Sequence, residues 1–221
     1  VNLESVSAKF AIVPAGGVGE RFGSQKLLFE FNGKSVINHT LDRMMPLFKT
    51  IVVPTSLSGI EGPNIVTCKA GSCRAESVLN GLRILAERAS AQDIVVVHDA
   101  ARCCVEPELF TRVIEAAQIS GVATTAIQPS DTLKFKDSFS IIDRSKVWAI
   151  QTPQAFKYGL LVEAFRNFRG ELSDVPDETS LFISGVAIVE GSKRNIKLTV
   201  KDDIDLVKAI LSLSLTHHKQ S

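Results

Sequence analysis

The feature that most limits what this chain can fold into is an alternation. Short apolar, β-branched runs are separated by segments of helical period. "FAIV" (10–13), "TIVV" (50–53), "IVVVH" (94–98), "TTAI" (124–127) and "VAIV" (186–189) read as buried strands. Between them Val36, Ile37, Leu41, Met44 and Met45 recur at helical spacing, as do Ala75, Val78, Leu79, Leu82 and Leu85. Pro107 suits a first helical turn, and Leu109, Phe110, Val113, Ile114 and Ala117 follow it on one face. "DDIDLVKAILSL" (202–213) reads as a closing helix, its acidic residues set against the positive end of the helix dipole. Strands buried on both faces and alternating with helices imply a mostly parallel sheet covered on two sides. The expected fold is therefore α/β, a three-layer α/β/α Rossmann-like domain. Such sheets bind ligands beyond the carboxyl ends of their strands, so the polar residues just after each strand are the candidates for a site.

At 221 residues the chain suits one domain, spanning 1–221. One segment breaks the alternation. In "DTLKFKDSFSIIDRSKVWAIQ" (131–151), Thr132, Lys134 and Lys136 alternate with Leu133 and Phe135, the two-residue period of a half-exposed strand. "KDS" then reads as a turn and "FSII" as a returning strand, which makes a hairpin arm. Its apolar face needs a partner: a homodimer contact is the expectation, and a hairpin folded back on its own domain the alternative. Formal charge is only +1, so no global field draws the chain to nucleic acid or an anionic membrane. Cys68, Cys73, Cys103 and Cys104 lack paired C-x-x-C spacing, which argues for reduced thiols in a cytoplasmic protein over a zinc site. No apolar run approaches the ~18 residues of a membrane span.

"IVPAGGVGERFGSQKLL" (12–28) places a glycine-rich turn, an arginine and a lysine directly after the first strand. Two familiar phosphate motifs fail on it. Gly17, Gly19 and Gly23 give G-x-G-x-x-x-G rather than the dinucleotide spacing, and the second strand ends at Pro54 rather than an acid. "GKS" (33–35) mimics the end of a P-loop, but Leu28 stands where the upstream glycine is required. What remains is backbone that can approach phosphate oxygens closely, with Arg21 and Lys26 to neutralise charge.

This loop resembles the signature of nucleotidyltransferases that activate sugars and polyols. "GSCRAESVLNGL" (71–82), "VHDAAR" (97–102), "DTLK" (131–134), "QTPQAF" (151–156), "DETSL" (177–181) and "NIKLTVKDDIDL" (195–206) narrow the likeness. In joint order and spacing they resemble the 2-C-methyl-D-erythritol 4-phosphate cytidylyltransferase family, from about Phe10 to Leu211. The loop here is short, as in molybdenum-cofactor nucleotidyltransferases. Ala70 stands for a usual glycine, and Cys103 for a usual proline.

The resemblance implies a nucleotide-diphospho-sugar transferase type of fold and attack by a polyol phosphate on the α-phosphorus of CTP, with release of pyrophosphate. It implies Arg21 and Lys26 as catalytic residues, and backbone of Ala15, Gly16, Gly17 and Gly19 along the nucleotide. Gly71, Ser72 and Ser77 are matched to the pyrimidine side. Asp99 is matched to the ribose or to Mg²⁺ (or another divalent cation). Arg102, Thr132, Arg144, Thr152 and Lys197 are matched to the polyol phosphate. Arg74 reads equally well as a structural ion-pair partner, and His98 as structural. A ribitol-5-phosphate cytidylyltransferase, or a silent nucleotide-binding relative on the same scaffold, fits most of the same motifs.

Overall fold

The computed structural model describes residues 7–17, 22–23 and 25–217, with side chains as far as residue 213. Arg21 and Gly19 lie outside the described residues. Seven strands form one sheet: β1 (Lys9–Ile12), β4 (Thr50–Pro54), β5 (Ile65–Cys68), β6 (Ile94–Val97), β7 (Val122–Ile127), β10 (Ala149–Lys157) and β11 (Val186–Glu190). Their spatial order is β11-β7-β10-β6-β1-β4-β5, and every pairing is parallel except those of β10, which runs antiparallel to both β6 and β7. The mostly parallel α/β architecture is as the alternation predicts.

The side-chain period of a strand explains the three layers. In β1, Phe10 and Ile12 point to one face and Ala11 to the other, as does Val13 just beyond the strand. On the first face the strands pack against α2 (Arg74–Leu85) and α4 (Tyr158–Asn167), through Ala75, Val78, Leu82, Leu85, Leu161 and Phe165. On the second they meet α1 (Val36–Met44), α3 (Pro107–Ser120) and α5 (Asp203–His217). Helices α1 and α3 carry start or stop signals in their sequence. Ser35 Oγ accepts from Asn38 N–H at the head of α1, Pro107 opens α3, and Gly121 closes α3 at φ 86°.

Two features differ from the sequence expectation. β10 contains Pro153 and polar residues on both faces, so it carries no apolar run; it is nonetheless buried from Gln151 to Phe156 because it fills the gap between β6 and β7. "VAIV" is not a buried interior strand: β11 is the sheet edge, and Ile188 is 41% exposed.

The segment from 131 to 148 joins the end of β7 to the start of β10, and so leaves the sheet at its carboxyl edge. It forms a short antiparallel hairpin, β8 (Leu133–Lys134) with β9 (Ile141–Ile142), flanked by solvent-exposed residues. Two smaller strands, β2 (Glu30–Phe31) and β3 (Lys34–Ser35), make a separate hairpin after the glycine turn.

Candidate active site

Three chain segments leave the carboxyl edge side by side and enclose a cavity of about 200 Å³. Pro14–Gly17 follow β1, Gly71–Arg74 follow β5, and Asp99–Ala101 follow β6, with Lys26, Leu27, Ser77 and Lys197 completing the wall. Of the candidates read from sequence, Ala15, Gly16, Gly17, Lys26, Gly71, Ser72, Ser77, Asp99 and Lys197 line this space.

The glycine turn is fixed at its root. Ala15 N–H donates to the Pro54 carbonyl at 2.9 Å, and the Thr55 hydroxyl donates to the Ala15 carbonyl at 3.2 Å. Ala15 therefore spends its own backbone on the sheet. Among the described residues, no backbone carbonyl accepts from the Gly16 or Gly17 N–H. Gly16 is required by close approach, because a Cβ there meets the Ala70 Cβ at 2.4 Å. Gly17 faces open space.

The second wall is a helix start. Cys73 caps α2, its sulfur accepting from Glu76 N–H at 3.4 Å. Glu76 reaches back to the Ser72 N–H and hydroxyl, both at 2.6 Å. Ser77 is nearly buried. Its hydroxyl donates to the Cys73 carbonyl and accepts from Gly71 N–H, each at 3.0 Å. Ser77 thus shapes the loop that presents Gly71.

Asp99 is the electrostatic centre. Arg74 Nε meets its Oδ1 at 3.0 Å, Lys197 Nζ its Oδ2 at 2.9 Å, and Arg102 Nε its Oδ2 at 3.5 Å. Burial alone pushes its carboxyl up, but the charges of Arg74, Lys197 and Arg102 win and hold it well below the usual carboxylate range. Beneath it, Asp99 N–H donates to Thr152 Oγ at 3.0 Å, and Thr152 Oγ lies 3.1 Å from His98 Nδ1. His98 Nε2 faces the Arg102 carbonyl at 3.4 Å. A carbonyl only accepts, so Nε2 carries the proton and Thr152 donates to Nδ1. Burial drives the His98 pKa down to about 3, so the ring is neutral.

The remaining candidates are placed as follows. Arg102 is largely enclosed, with Nη1 donating to the Asn195 carbonyl at 2.7 Å. Thr152 is 4% exposed and its hydroxyl is used within the buried relay. Lys197 is held over the site because Asn195 Nδ2 donates to the Thr152 carbonyl at 2.8 Å and Leu198 N–H to the Ala101 carbonyl at 2.9 Å. Thr132 and Arg144 are exposed on the arm and do not line the cavity. Arg144 Nη1 donates to the Ser130 carbonyl, across the base of the arm. Glu178, quoted above only within a motif, receives Arg74 Nη1 on both carboxylate oxygens at 2.8 Å and is wholly buried.

This geometry defines an α/β protein that gathers cationic side chains and a glycine turn at the carboxyl edge of its sheet. The family model described as IspD, 2-C-methyl-D-erythritol 4-phosphate cytidylyltransferase, matches residues 9–213, and the chain belongs to that family. A relative of that name from Syntrophus aciditrophicus is 38% identical, over 91% of this chain and 94% of its own. One from Crocosphaera subtropica is 34% identical, over 94% and 100%. The crystal structure of the Francisella tularensis protein of the same name superposes with TM-score 0.80 at 32% identity, covering 92% of this chain and 100% of that one.

Proposed function

We propose that this enzyme transfers CMP from CTP to 2-C-methyl-D-erythritol 4-phosphate, forming 4-diphosphocytidyl-2-C-methyl-D-erythritol and pyrophosphate in non-mevalonate isoprenoid synthesis. The observation that carries the reading is the cavity itself. It is lined by the backbone of Gly16 and Gly17, by lysines at 26 and 197, and by one strongly acidic carboxylate among the described residues.

An oxygen of the acceptor's phosphate attacks the α-phosphorus of CTP, and the bond to the bridging oxygen breaks. Two polyanions must meet, so catalysis is alignment and charge neutralisation rather than strong proton removal. Lys26, with Arg21 as its expected partner, meets the charge that grows on the leaving pyrophosphate. Gly71 presents the pyrimidine side, and Lys197 faces the acceptor phosphate, with Arg102 held behind it on Asp99.

Mg²⁺ suits this donor set. Asp99 is the carboxylate on the cavity wall, and no cluster of three or more His, Cys, Asp or Glu residues exists among the described residues. A cation here takes most of its ligands from phosphate and water, as Mg²⁺ commonly does. When bound it screens the triphosphate charge.

The exposed Phe135, Phe139, Ile141 and Trp148 give the arm an apolar surface that a second copy of the chain covers, bringing Thr132 and Arg144 to the neighbour's site. The four thiols are unpaired, in keeping with a cytoplasmic setting, and no described helix is long and apolar enough to cross a membrane.

The test is pyrophosphate release with CTP and each acceptor. Turnover with 2-C-methyl-D-erythritol 4-phosphate, lost by orders of magnitude in Lys26→Ala with the fold intact, supports the reading. Activity only with ribitol 5-phosphate, or none with either, overturns it.

A further inference from the structure

Glu178 is a carboxylate in an expensive place. It is fully buried, yet removing a charge from water costs several kcal/mol even when the charge is paired. A well-packed apolar residue often serves stability as well or better at such a position. Its side-chain partner among the described residues is Arg74, whose Nη1 donates to both of its oxygens. The same guanidinium turns its Nε edge to Asp99. Burial raises the Glu178 carboxyl while Arg74 lowers it, and Asp99 raises it further, so the two acids are coupled through one planar cation.

The loop that carries Glu178 is itself anchored. Asp177 Oδ1 accepts from Thr179 N–H at 2.9 Å and from Gln154 Nε2 at 3.0 Å, and Gln154 is a buried residue of β10. Glu178 is thus fixed to the sheet before it meets Arg74.

We propose that Glu178 is a positioning residue for the transfer reaction: by gripping Arg74 it fixes the guanidinium that holds the Asp99 carboxylate over the cavity. The grip has two consequences. The planar fork of Arg74 cannot rotate without breaking two charge-assisted contacts, so Asp99 Oδ1 keeps one direction. Glu178 also offsets one of the three cations around Asp99, which leaves that carboxylate less smothered by positive charge. Both effects act on Asp99 from behind, since Glu178 does not line the cavity.

The inference rests on the reading that Asp99 serves the reaction, and the test separates the two. Steady-state kinetics with CTP and 2-C-methyl-D-erythritol 4-phosphate are compared for Glu178→Gln, Asp99→Asn and the double variant, with thermal unfolding alongside. Glu178→Gln keeps the side-chain shape and removes the charge. Its kcat is expected to fall about ten- to hundred-fold, with KM for CTP changed by less than about three-fold. In the Asp99→Asn background the same change is expected to cost nothing further, because the residue it acts through is already gone. Losses that multiply, or wild-type turnover in Glu178→Gln while Asp99→Asn is crippled, overturn the positioning role. Wild-type turnover in Asp99→Asn overturns the underlying reading instead. Should Glu178→Gln not fold, Glu178→Asp keeps the charge on a shorter arm. It must then show the same kcat loss, absent in the Asp99→Asn background, and a multiplying loss again refutes the role.

Discussion

Gly16 and Ala70 touch across two loops, and the contact is a prediction in itself. Gly16→Ala drives a Cβ to 2.4 Å from the Ala70 Cβ, so the turn must shift and CTP affinity is expected to fall by at least an order of magnitude. Ala70→Gly in the same chain removes the clash and is expected to restore most of it, as calorimetric titration with CTP will show. No rescue contradicts the stitching of these loops. His98 makes a second prediction. Its folded pKa of about 3 lies below the ordinary 6.5, so the unfolded chain binds a proton that the folded chain refuses. Stability from this residue is whole above pH 6.5 and declines as pH falls towards 3. Asp99 adds nothing to this slope above the ordinary carboxylate range, because it stays ionised in both states there. Urea midpoints from pH 7 to 4 should therefore show the gap between wild type and His98→Asn narrowing as pH drops. A constant gap contradicts a neutral, buried ring. Glycines and cations that follow strands were legible in the sequence. The partners of Thr152, Arg102 and Glu178 were not, since His98 lies 54 positions from Thr152 and Arg74 104 from Glu178.

At the level of elements, apolar periodicity located β1, β4, β6, β7, α1, α2, α3 and α5, because each buries one stripe or both faces in the core. It missed β5, β10 and α4. β10 earns its burial from neighbours rather than from its own composition, and β5 is a half-exposed edge. The arm was legible from its two-residue alternation, but its paired strands are only two residues each. A hairpin that short is not stable on its own. Phe139 and Ile141 are both 72% exposed, more apolar surface than an isolated arm needs. For the proposed dimer, replacing both with serine is expected to leave a monomer in sedimentation velocity. It should also raise KM for the acceptor far more than KM for CTP. A variant that stays dimeric, or a monomer with unchanged acceptor KM, contradicts the shared site.

Across the whole molecule, charges nearly cancel at +1, yet the carboxyl edge gathers Arg74, Arg102 and Lys197 around Asp99, with Lys26 on the wall of the same cavity. The sheet makes this possible, because β1, β5 and β6 are parallel and deliver their following loops to the same end. The antiparallel β10 enters from that end too, so the arm and the cavity share an edge. The central claim is that this shared edge holds a nucleoside triphosphate against fixed positive charge. A crystal structure with CTP tests it most directly. The account predicts phosphate oxygens within hydrogen-bond distance of the Gly16 and Gly17 amides and of Lys26 Nζ, with the base beside Gly71. CTP bound at any other place, with this cavity filled by water, contradicts it.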